Sequence, residues 1–214
     1  MRVVSVNVGS RDTVSIGDRR VETGIDKRPV TRAVVNSLGL TDDAIVDTEH
    51  HGGADQAVYV YSAADYDWWA TELDRTDLRP GLFGENLTLD LGAVGVLRVG
   101  DRLVVGRSVM LEVTAPRIPC AVFQNAVDEP GWVKRFNDAR RHGAYCRVVT
   151  GGVVSEGDPV RIDPADPSFP DVEDVADIAL DRVKDPDRLR AALAAPIASR
   201  SREYIERRLA RRDG

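Results

Sequence analysis

Short apolar runs, separated by glycine and charged residues, occupy most of the chain, and this pattern predicts β-strands. The first strand is predicted at Val3–Val8, and Thr13–Ile16 with Arg20–Thr23 predicts a hairpin around Gly17–Asp18. Further strands are predicted at Val30–Asn36, Ala57–Tyr61, Val96–Val99, Leu103–Val105, Met110–Val113, Tyr145–Val149 and Val160–Ile162. Many short strands joined by glycine turns favour a mainly β fold, as a closed β-barrel or a sandwich.

A few helices are predicted within this strand pattern. Ser62 is placed as an N-cap, and the apolar residues Tyr66, Trp69, Ala70 and Leu73 follow at helical spacing. A second helix is predicted from about Gly131 to Arg140. Both apolar faces are expected to pack on the core of the strand region.

The last quarter of the chain has a different period. A proline-rich linker at Asp163–Pro170 precedes an apolar helical stripe from Val172 to Val183. Asp185–Pro186 predicts the start of a second helix, and Ser199 that of a third, ending near Arg212. We therefore predict two domains, a barrel at 1–163 and a small three-helix domain at 171–214.

Composition restricts the function classes. The chain has 214 residues, 43% hydrophobic residues and a net charge of −6, so it can bury a core and carries no basic footprint for a nucleic-acid polymer. No apolar run approaches membrane-spanning length, and the start does not read as a signal peptide, so a cytoplasmic protein is expected. The two cysteines, Cys120 and Cys146, do not make a disulfide framework, although their pairing stays open.

The segment Thr114–Cys120 is the first candidate for chemistry. Pro116 and Pro119 cannot donate ladder hydrogen bonds, so the sheet is expected to stop here. The prolines stiffen a turn that holds Arg117 near Cys120, and a neighbouring guanidinium favours the thiolate. A lone cysteine is more often a small buried apolar residue, and that is our interpretation of Cys146, which lies within a predicted strand.

Two glycine-rich stretches, His50–Asp55 and Pro80–Leu87, are the other candidates, because glycine lets backbone approach a ligand closely. Glu85 and Asn86 are interpreted either as turn formers or as hydrogen-bonding groups for a ligand. His50 and His51 are neighbours and would point to opposite sides of a strand, which disfavours a shared zinc site. His51 either closes a turn or hydrogen-bonds a cofactor.

These stretches together resemble the MOSC domain family, named for the C-terminal domain of molybdenum cofactor sulfurase, and in particular its bacterial YiiM-like branch with a three-helix tail. The resemblance covers most of the chain and rests on the order and spacing of its motifs. These are Lys27–Val30, Asp43 to Asp47, His51–Gly53 with Asp55, Gly84–Asn86, Gly100–Asp101, Pro116–Arg117, Pro119–Cys120 and Gly143 to Val148. The chain departs from the family pattern at Gln56, where a basic residue is usual, and at Asp42 and Ile45.

The resemblance implies a molybdenum–pterin cofactor with Cys120 as the metal ligand and Asn86 and Glu85 in catalytic roles. Contacts to the cofactor are expected from Arg28, His51, Gly52, Gly53, Gly84, Asn86, Arg117 and Arg147, of which the arginines suit a phosphate. The implied activity is reduction of N-hydroxylated compounds such as hydroxylaminopurine, whose ring could stack on Trp68 or Trp132. An external electron-transfer protein is the expected partner. The alternatives are a sulfur carrier with a Cys120 persulfide, a module that delivers the cofactor, and an inert buried Cys120.

Overall fold

The structure, a computed structural model, describes residues 1–46, 52–93 and 96–211. Within these ranges the strands are β1 Val3–Gly9, β2 Asp12–Ile16, β3 Arg19–Thr23, β4 Lys27–Val30, β5 Arg32–Asn36, β6 Gly39–Leu40, β7 Val58–Ser62, β8 Leu87–Leu89, β9 Arg102–Val105, β10 Val109–Pro116, β11 Ala144–Thr150, β12 Gly152–Ser155 and β13 Val160–Asp163. The α-helices are α1 Ala63–Leu73, α2 Ala121–Val127, α3 Trp132–Ala139, α4 Val172–Ala179, α5 Pro186–Ala194 and α6 Ser199–Ala210, and a short 3-10 helix spans Ala54–Gln56.

One large mixed sheet dominates the fold. Its strand order is β13-β9-β10-β11-β7-β8-β1-β4, and each neighbouring pair is antiparallel except β7 and β8. A smaller sheet has the order β12-β5-β6, and β2 pairs with β3 as the predicted hairpin. The sheet-dominated fold with inserted helices therefore agrees with the sequence analysis.

The expected closed barrel is not confirmed. Among the described strands, the large sheet has an open order that ends at β13 on one side and β4 on the other. Backbone contacts nevertheless connect its two sides, because Val3 N–H donates to Asp158 O at 2.9 Å and Val160 N–H donates to Met1 O at 3.0 Å. The sheet is thus curved enough for the start of β1 to meet the turn before β13.

Several elements differ from the prediction. The run Val30–Asn36 is divided between β4 and β5, and Val96–Val99 is not a strand. Helix α2 and the short strands β8 and β12 were not predicted. Strand β10 also continues through Pro116, which pairs with Ala144. Proline is tolerated there because β9 pairs with β10 only as far as Glu112, so the last residues of β10 have β11 as their one ladder partner among the described strands.

The core consists of an aliphatic part and an aromatic part. The aliphatic part consists mainly of buried valine and leucine side chains from the strands. The aromatic cluster packs α1, α2 and α3 against the sheet and comprises Tyr59, Tyr61, Tyr66, Trp69, Phe83, Phe123, Trp132 and Phe136. Ser62 caps α1 as predicted, since its side chain accepts a hydrogen bond from Ala64 N–H.

The three predicted C-terminal helices are present as α4, α5 and α6. They share an apolar cluster that includes Val175, Leu189 and Ile205, together with Val99 from the sheet region. Val172 at the start of α4 packs into the aliphatic core, so the helices are attached to the sheet and not only to one another. The division into domains at 1–163 and 171–214 stays a prediction.

Candidate functional site

The loop Arg117–Cys120, which we call the Cys120 loop, connects the end of β10 to α2. Cys120 is the residue immediately before α2, with an extended backbone, and its side chain does not cap the helix. Its thiol is free, and the residue is partly exposed. The second cysteine, Cys146, is free but fully buried within β11, and burial raises the pKa of its thiol far above the usual value. The two thiols thus have different surroundings.

Arg117 points into the protein, not into solvent, and is only 4% exposed. Its Nη1 donates to Tyr145 Oη at 3.1 Å, and its guanidinium lies 4.4 Å from the centre of the Phe123 ring. Burial alone would lower the pKa of Arg117, but the Tyr145 and Tyr59 hydroxyls and the Cys120 thiol outweigh it, so the pKa is raised. The loop therefore brings a buried cation near the thiol, as the sequence analysis expected.

The turn Gly81–Asn86, which we call the Gly84 loop, packs against this cation. Gly84 has a φ of 82°, and a Cβ there would lie 3.1 Å from Ile25 Cγ1 and 3.6 Å from Arg117 Nη1. A side chain at position 84 would be strained by this positive φ and would crowd Ile25, whereas its contact with Arg117 would be an ordinary one. The backbone conformation and the approach of Ile25 explain why the position is glycine.

Glu85 supports the Gly84 loop from inside the core. Its carboxylate accepts hydrogen bonds from Gly81 N–H at 2.6 Å, from Thr88 Oγ1 at 2.7 Å and from Tyr66 Oη at 3.0 Å. Burial raises the pKa of Glu85, although these hydrogen bonds act in the opposite direction. Glu85 is fully buried, so its contacts shape the loop and do not face an open site.

Asn86 is also occupied by protein partners. Its Oδ1 accepts from Tyr59 N–H at 3.0 Å, and its Nδ2 donates to Asp43 Oδ2 at 2.8 Å. Asp43 in turn forms an ion pair with Lys27, whose side chain is 8% exposed. Burial lowers the pKa of Lys27, and the charge of Arg117 acts in the same direction. Lys27 is thus a buried cation near Arg117 that the sequence analysis did not select; its place in the Lys27–Val30 motif was the available signal.

The other two candidate arginines lie elsewhere. Arg28 is exposed and pairs with Asp26 at 2.6 Å. Arg147 points toward the C-terminal helices, where it pairs with Asp55 at 2.9 Å and Glu112 at 3.3 Å and donates to Pro196 O at 3.2 Å. Of the three arginines proposed for a phosphate, only Arg117 is placed beside Cys120.

The His50–Asp55 stretch supplies two of the described glycines, Gly52 and Gly53. His50 and His51 lie outside the described residues. Gly52 has a φ of 72°, and a Cβ there would lie 2.8 Å from Ile45 Cγ2, whereas a Cβ at Gly53 would have open space. Among the described residues, no group of three or more His, Cys, Asp or Glu side chains could hold a metal ion.

The two tryptophans considered for ring stacking have different surroundings. Trp132 is fully buried in the aromatic cluster, 4.5 Å from Trp69 between ring centres, and is not free to stack on a ligand. Trp68 is partly exposed, and the guanidinium of Arg141 lies 4.2 Å from the centre of its ring. Stacking of a ligand on Trp68 stays a prediction.

A pocket of about 240 Å³ opens beside the Cys120 loop, between the end of β10 and the helices α4 and α6. Pro116, Ile118 and Tyr145 line its sheet side, and Tyr204 lines its helix side. Tyr145 thus contacts both the pocket and, through its hydroxyl, Arg117 of the Cys120 loop. The sequence analysis missed this pocket, since its walls come from distant parts of the chain.

Comparison with known proteins gives a consistent family. The model of the MOSC domain matches residues 47–161. YflK of Bacillus subtilis is 34% identical over 156 residues, which is 72% of this chain and 70% of YflK. A protein named "Reductase" from Gibberella moniliformis is 33% identical over 114 residues, covering 52% of this chain but only 20% of that protein. The crystal structure of YiiM from Geobacillus stearothermophilus superimposes with a TM-score of 0.79 at 26% identity, covering 97% of this chain and 98% of YiiM.

Within residues 1–46, 52–93 and 96–211, none of the helices combines the length and the apolar character that crossing a bilayer requires.

Proposed function

This chain belongs to the MOSC domain family as a YiiM-like member, and on that basis we propose that it binds a molybdenum–pterin cofactor and reduces N-hydroxylated compounds. The family is associated with molybdenum cofactor binding, and one relative carries the name "Reductase". The substrate class and the role of each residue are parts of the proposal.

One observation carries the proposal: a partly exposed free thiol, Cys120, stands at the end of a proline-stiffened loop next to the buried cation Arg117. A soft thiolate is a suitable ligand for a soft transition metal.

The residues around the loop suit an anionic cofactor. Arg117 Nε is buried and has no hydrogen-bond partner among the described residues, so one donor of this guanidinium is unused. Gly84 keeps the neighbouring backbone free of a side chain. Arg117 provides positive charge in a buried environment, where electrostatic attraction is strong, whereas the charge of Lys27 is paired with Asp43.

The roles of the chain follow from these contacts. Cys120 would hold the metal. Arg117, which is held in place by its hydrogen bond to Tyr145, would stabilise the thiolate and orient the cofactor. Glu85 and Asn86 would act indirectly, because they are buried and fix the Gly84 loop through Gly81, Thr88 and Tyr59. When bound, the cofactor would supply the two-electron chemistry that removes oxygen from nitrogen. Each turnover would consume two protons, together with two electrons from an external electron-transfer protein, and would release the amine and water.

The experiment compares the wild type with Cys120→Ala, both produced in a host that makes the molybdenum cofactor. We expect Cys120→Ala to lose bound molybdenum and reduction of 6-hydroxylaminopurine, while its circular dichroism and melting temperature stay close to wild type. The thiol is partly exposed in a loop, so its removal opens no large cavity. Cys146→Ala serves as the matched cysteine control.

The outcomes separate the proposal from its alternative. Full molybdenum occupancy in Cys120→Ala would remove the ligand assignment. Molybdenum bound through Cys120 without any turnover would instead favour a module that delivers the cofactor. A persulfide detected on Cys120 by mass spectrometry, without bound molybdenum, would favour the sulfur carrier.

A further inference from the structure

The small sheet β12-β5-β6 has apolar side chains on its outer face. An antiparallel sheet with one face on the core usually carries polar residues on the other face, because successive side chains alternate. Val35 of β5 and Val154 of β12 point inward and are buried in the aliphatic core. Their neighbours Val34 and Val153 are on the opposite face and are 51% and 49% exposed. Each strand thus has a second valine that faces outward.

The two outward valines lie side by side. Val34 is the direct cross-strand partner of Val153 in the pairing of β5 with β12. Leu38, in the turn between β5 and β6, is also exposed. The described residues leave six large hydrophobic side chains exposed, and three of them therefore belong to this one sheet. Single exposed apolar residues are normal on a protein surface, whereas a group of them indicates an interaction surface.

A groove of about 400 Å³ follows this face. Val34 and Val153 line it, and so do Val8 of β1 and Val30 of β4, which are partly buried at the margin of the aliphatic core. The groove therefore extends the exposed apolar surface from the small sheet onto the large one. A protein surface that filled it would be buried against valines from four strands.

The same groove carries one unused charge of each sign. Arg32 and Asp42 both line it, and both are exposed. Neither has an ion-pair partner within the part of the chain that the structure describes. The next residue, Asp43, is by contrast paired with Lys27. Asp42 also has a positive φ of 71°, so the backbone turns sharply at the residue that presents the negative charge.

Opposite charges beside one apolar patch make this face complementary to itself. In a dimer with a two-fold axis, both copies use the same patch, so each contact between two different residues occurs twice. Arg32 of one copy can then pair with Asp42 of the other copy, and the reverse pair follows by symmetry. A second copy of the chain therefore supplies the apolar surface and both missing charges together, which favours it over an unrelated protein.

We infer that this face, defined by Val34, Val153, Arg32 and Asp42, is the interface of a symmetric dimer of the chain. The valines form its apolar centre, and the two Arg32–Asp42 pairs between the copies set the orientation. The inference does not depend on the proposed function, because Cys120 is not part of the groove.

The experiment measures the oligomeric state of the full chain by sedimentation velocity over a wide range of protein concentration. Val34→Lys places a charge in the apolar centre. Val96→Lys is the matched control, since Val96 is another exposed valine and does not line the groove. Arg32→Asp and Asp42→Lys each reverse one of the two charges. The melting temperature of every variant is measured as well, so that a loss of the dimer is not confused with a loss of the fold.

We expect the wild type and Val96→Lys to dimerise with the same dissociation constant. Val34→Lys should raise this constant at least about tenfold, and so should each charge reversal, because it places like charges opposite each other. An equimolar mixture of Arg32→Asp and Asp42→Lys should form a heterodimer, since both pairs are then attractive again with their signs exchanged. Native mass spectrometry identifies this heterodimer by its mass.

Three results would overturn the inference. The first is a wild type that stays monomeric at every concentration. The second is a dimer that Val34→Lys weakens no more than Val96→Lys does, which would place the interface on another face. The third is a mixture of the two charge variants that associates no better than either variant alone, which would exclude the pairing of Arg32 with Asp42.

Discussion

The two cysteines differ in their surroundings and therefore in their chemistry. Cys120 is partly exposed in a loop beside Arg117, whereas Cys146 is fully buried in the middle of β11. Burial raises the pKa of the Cys146 thiol far above the usual range, so this group stays protonated and unreactive in the folded protein. The sequence alone suggested this difference from the position of each residue relative to a predicted strand.

We predict that Cys146→Ala keeps molybdenum binding and turnover but lowers the free energy of unfolding by about 1 kcal/mol, through lost packing in the aliphatic core. Urea unfolding measures the stability, and a thiol reagent measures accessibility. One thiol should react in the native wild type and both after unfolding. Loss of turnover with an unchanged unfolding curve would place Cys146 in the reaction site and contradict the assignment.

The carboxylate of Asp55, in the 3-10 helix, caps the first turn of α6. The residue before α6, Ala198, has no capping side chain. Asp55 Oδ2 instead accepts hydrogen bonds from Ser199 N–H at 2.8 Å and Ser199 Oγ at 2.7 Å, and Oδ1 pairs with Arg147. Asp55, which lies in the segment that matches the MOSC domain, thus acts as a remote N-cap for a C-terminal helix.

We predict that Asp55→Ala destabilises the protein by about 1 kcal/mol at neutral pH, the usual effect of losing an N-cap. Burial alone would raise the pKa of Asp55, but the hydrogen bonds from Ser199 and the charge of Arg147 lower it below 3.8. Because the pKa of Asp55 is depressed in the folded protein, the carboxylate contributes its full stabilisation above pH 3.8. This stabilisation is lost as the pH falls through the folded pKa. The stability difference from wild type should therefore shrink in acid.

Urea unfolding of both proteins between pH 7 and pH 2 measures this difference. Hydrogen exchange in the first turn of α6 should be faster in Asp55→Ala at neutral pH, whereas Asp55→Asn, which keeps an acceptor, should show a smaller change. A stability difference that stays constant across the acid range would contradict the role of the ionised carboxylate.

The linker at 163–170 attaches the C-terminal helices to the rest of the molecule. The linker is held at both ends, because Ala165 N–H donates to Asp101 at 2.7 Å and Arg98 donates to Phe169 O at 2.7 Å. Between these contacts, residues 166–168 are exposed. The linker is therefore a tethered but accessible connection.

We predict that a nonspecific protease cuts first within 163–170, since exposed loop residues are the preferred sites of proteolysis. Mass spectrometry of the early fragments identifies the site. Asp101→Ala, which removes the hydrogen bond to Ala165 N–H, should be cut faster at the same place. First cuts within strands of the large sheet would argue for a single fused domain.

The proposed reduction needs a source of electrons. An iron–sulfur cluster typically needs four cysteine ligands, and the chain has two. No Gly-x-Gly-x-x-Gly motif follows a strand to signal a nicotinamide or flavin dinucleotide site. We propose, as the sequence analysis expected, that the electrons come from an external electron-transfer protein that docks beside the Cys120 loop.

We predict that cofactor-loaded protein with NADPH alone does not turn over 6-hydroxylaminopurine, and that addition of a reductase system or a chemical reductant starts the reaction. Product formation is followed by chromatography. Wild type without cofactor and Cys120→Ala with all components are the controls. Sustained turnover by the purified chain with NADPH alone would overturn the dependence on a partner.

Most of the elements and the loop that carries the thiol could be predicted from the sequence. Short apolar runs separated by glycine and charged residues located most strands, and helical spacing with local caps located α1 and the three C-terminal helices, because these signals act over a few neighbouring residues. Pro116 and Pro119 likewise marked the Cys120 loop. The motif order was sufficient to indicate the family.

Only the tertiary structure decided where the polar side chains point. Arg117 turns into the aromatic cluster, Arg147 turns toward the helices, and Asn86 is used by Tyr59 and Asp43. The same holds for the pocket, whose lining residues Gln56 and Tyr204 are far apart in sequence. Such contacts depend on how sheet and helices pack over long sequence separations, and no local pattern of residues encodes that arrangement.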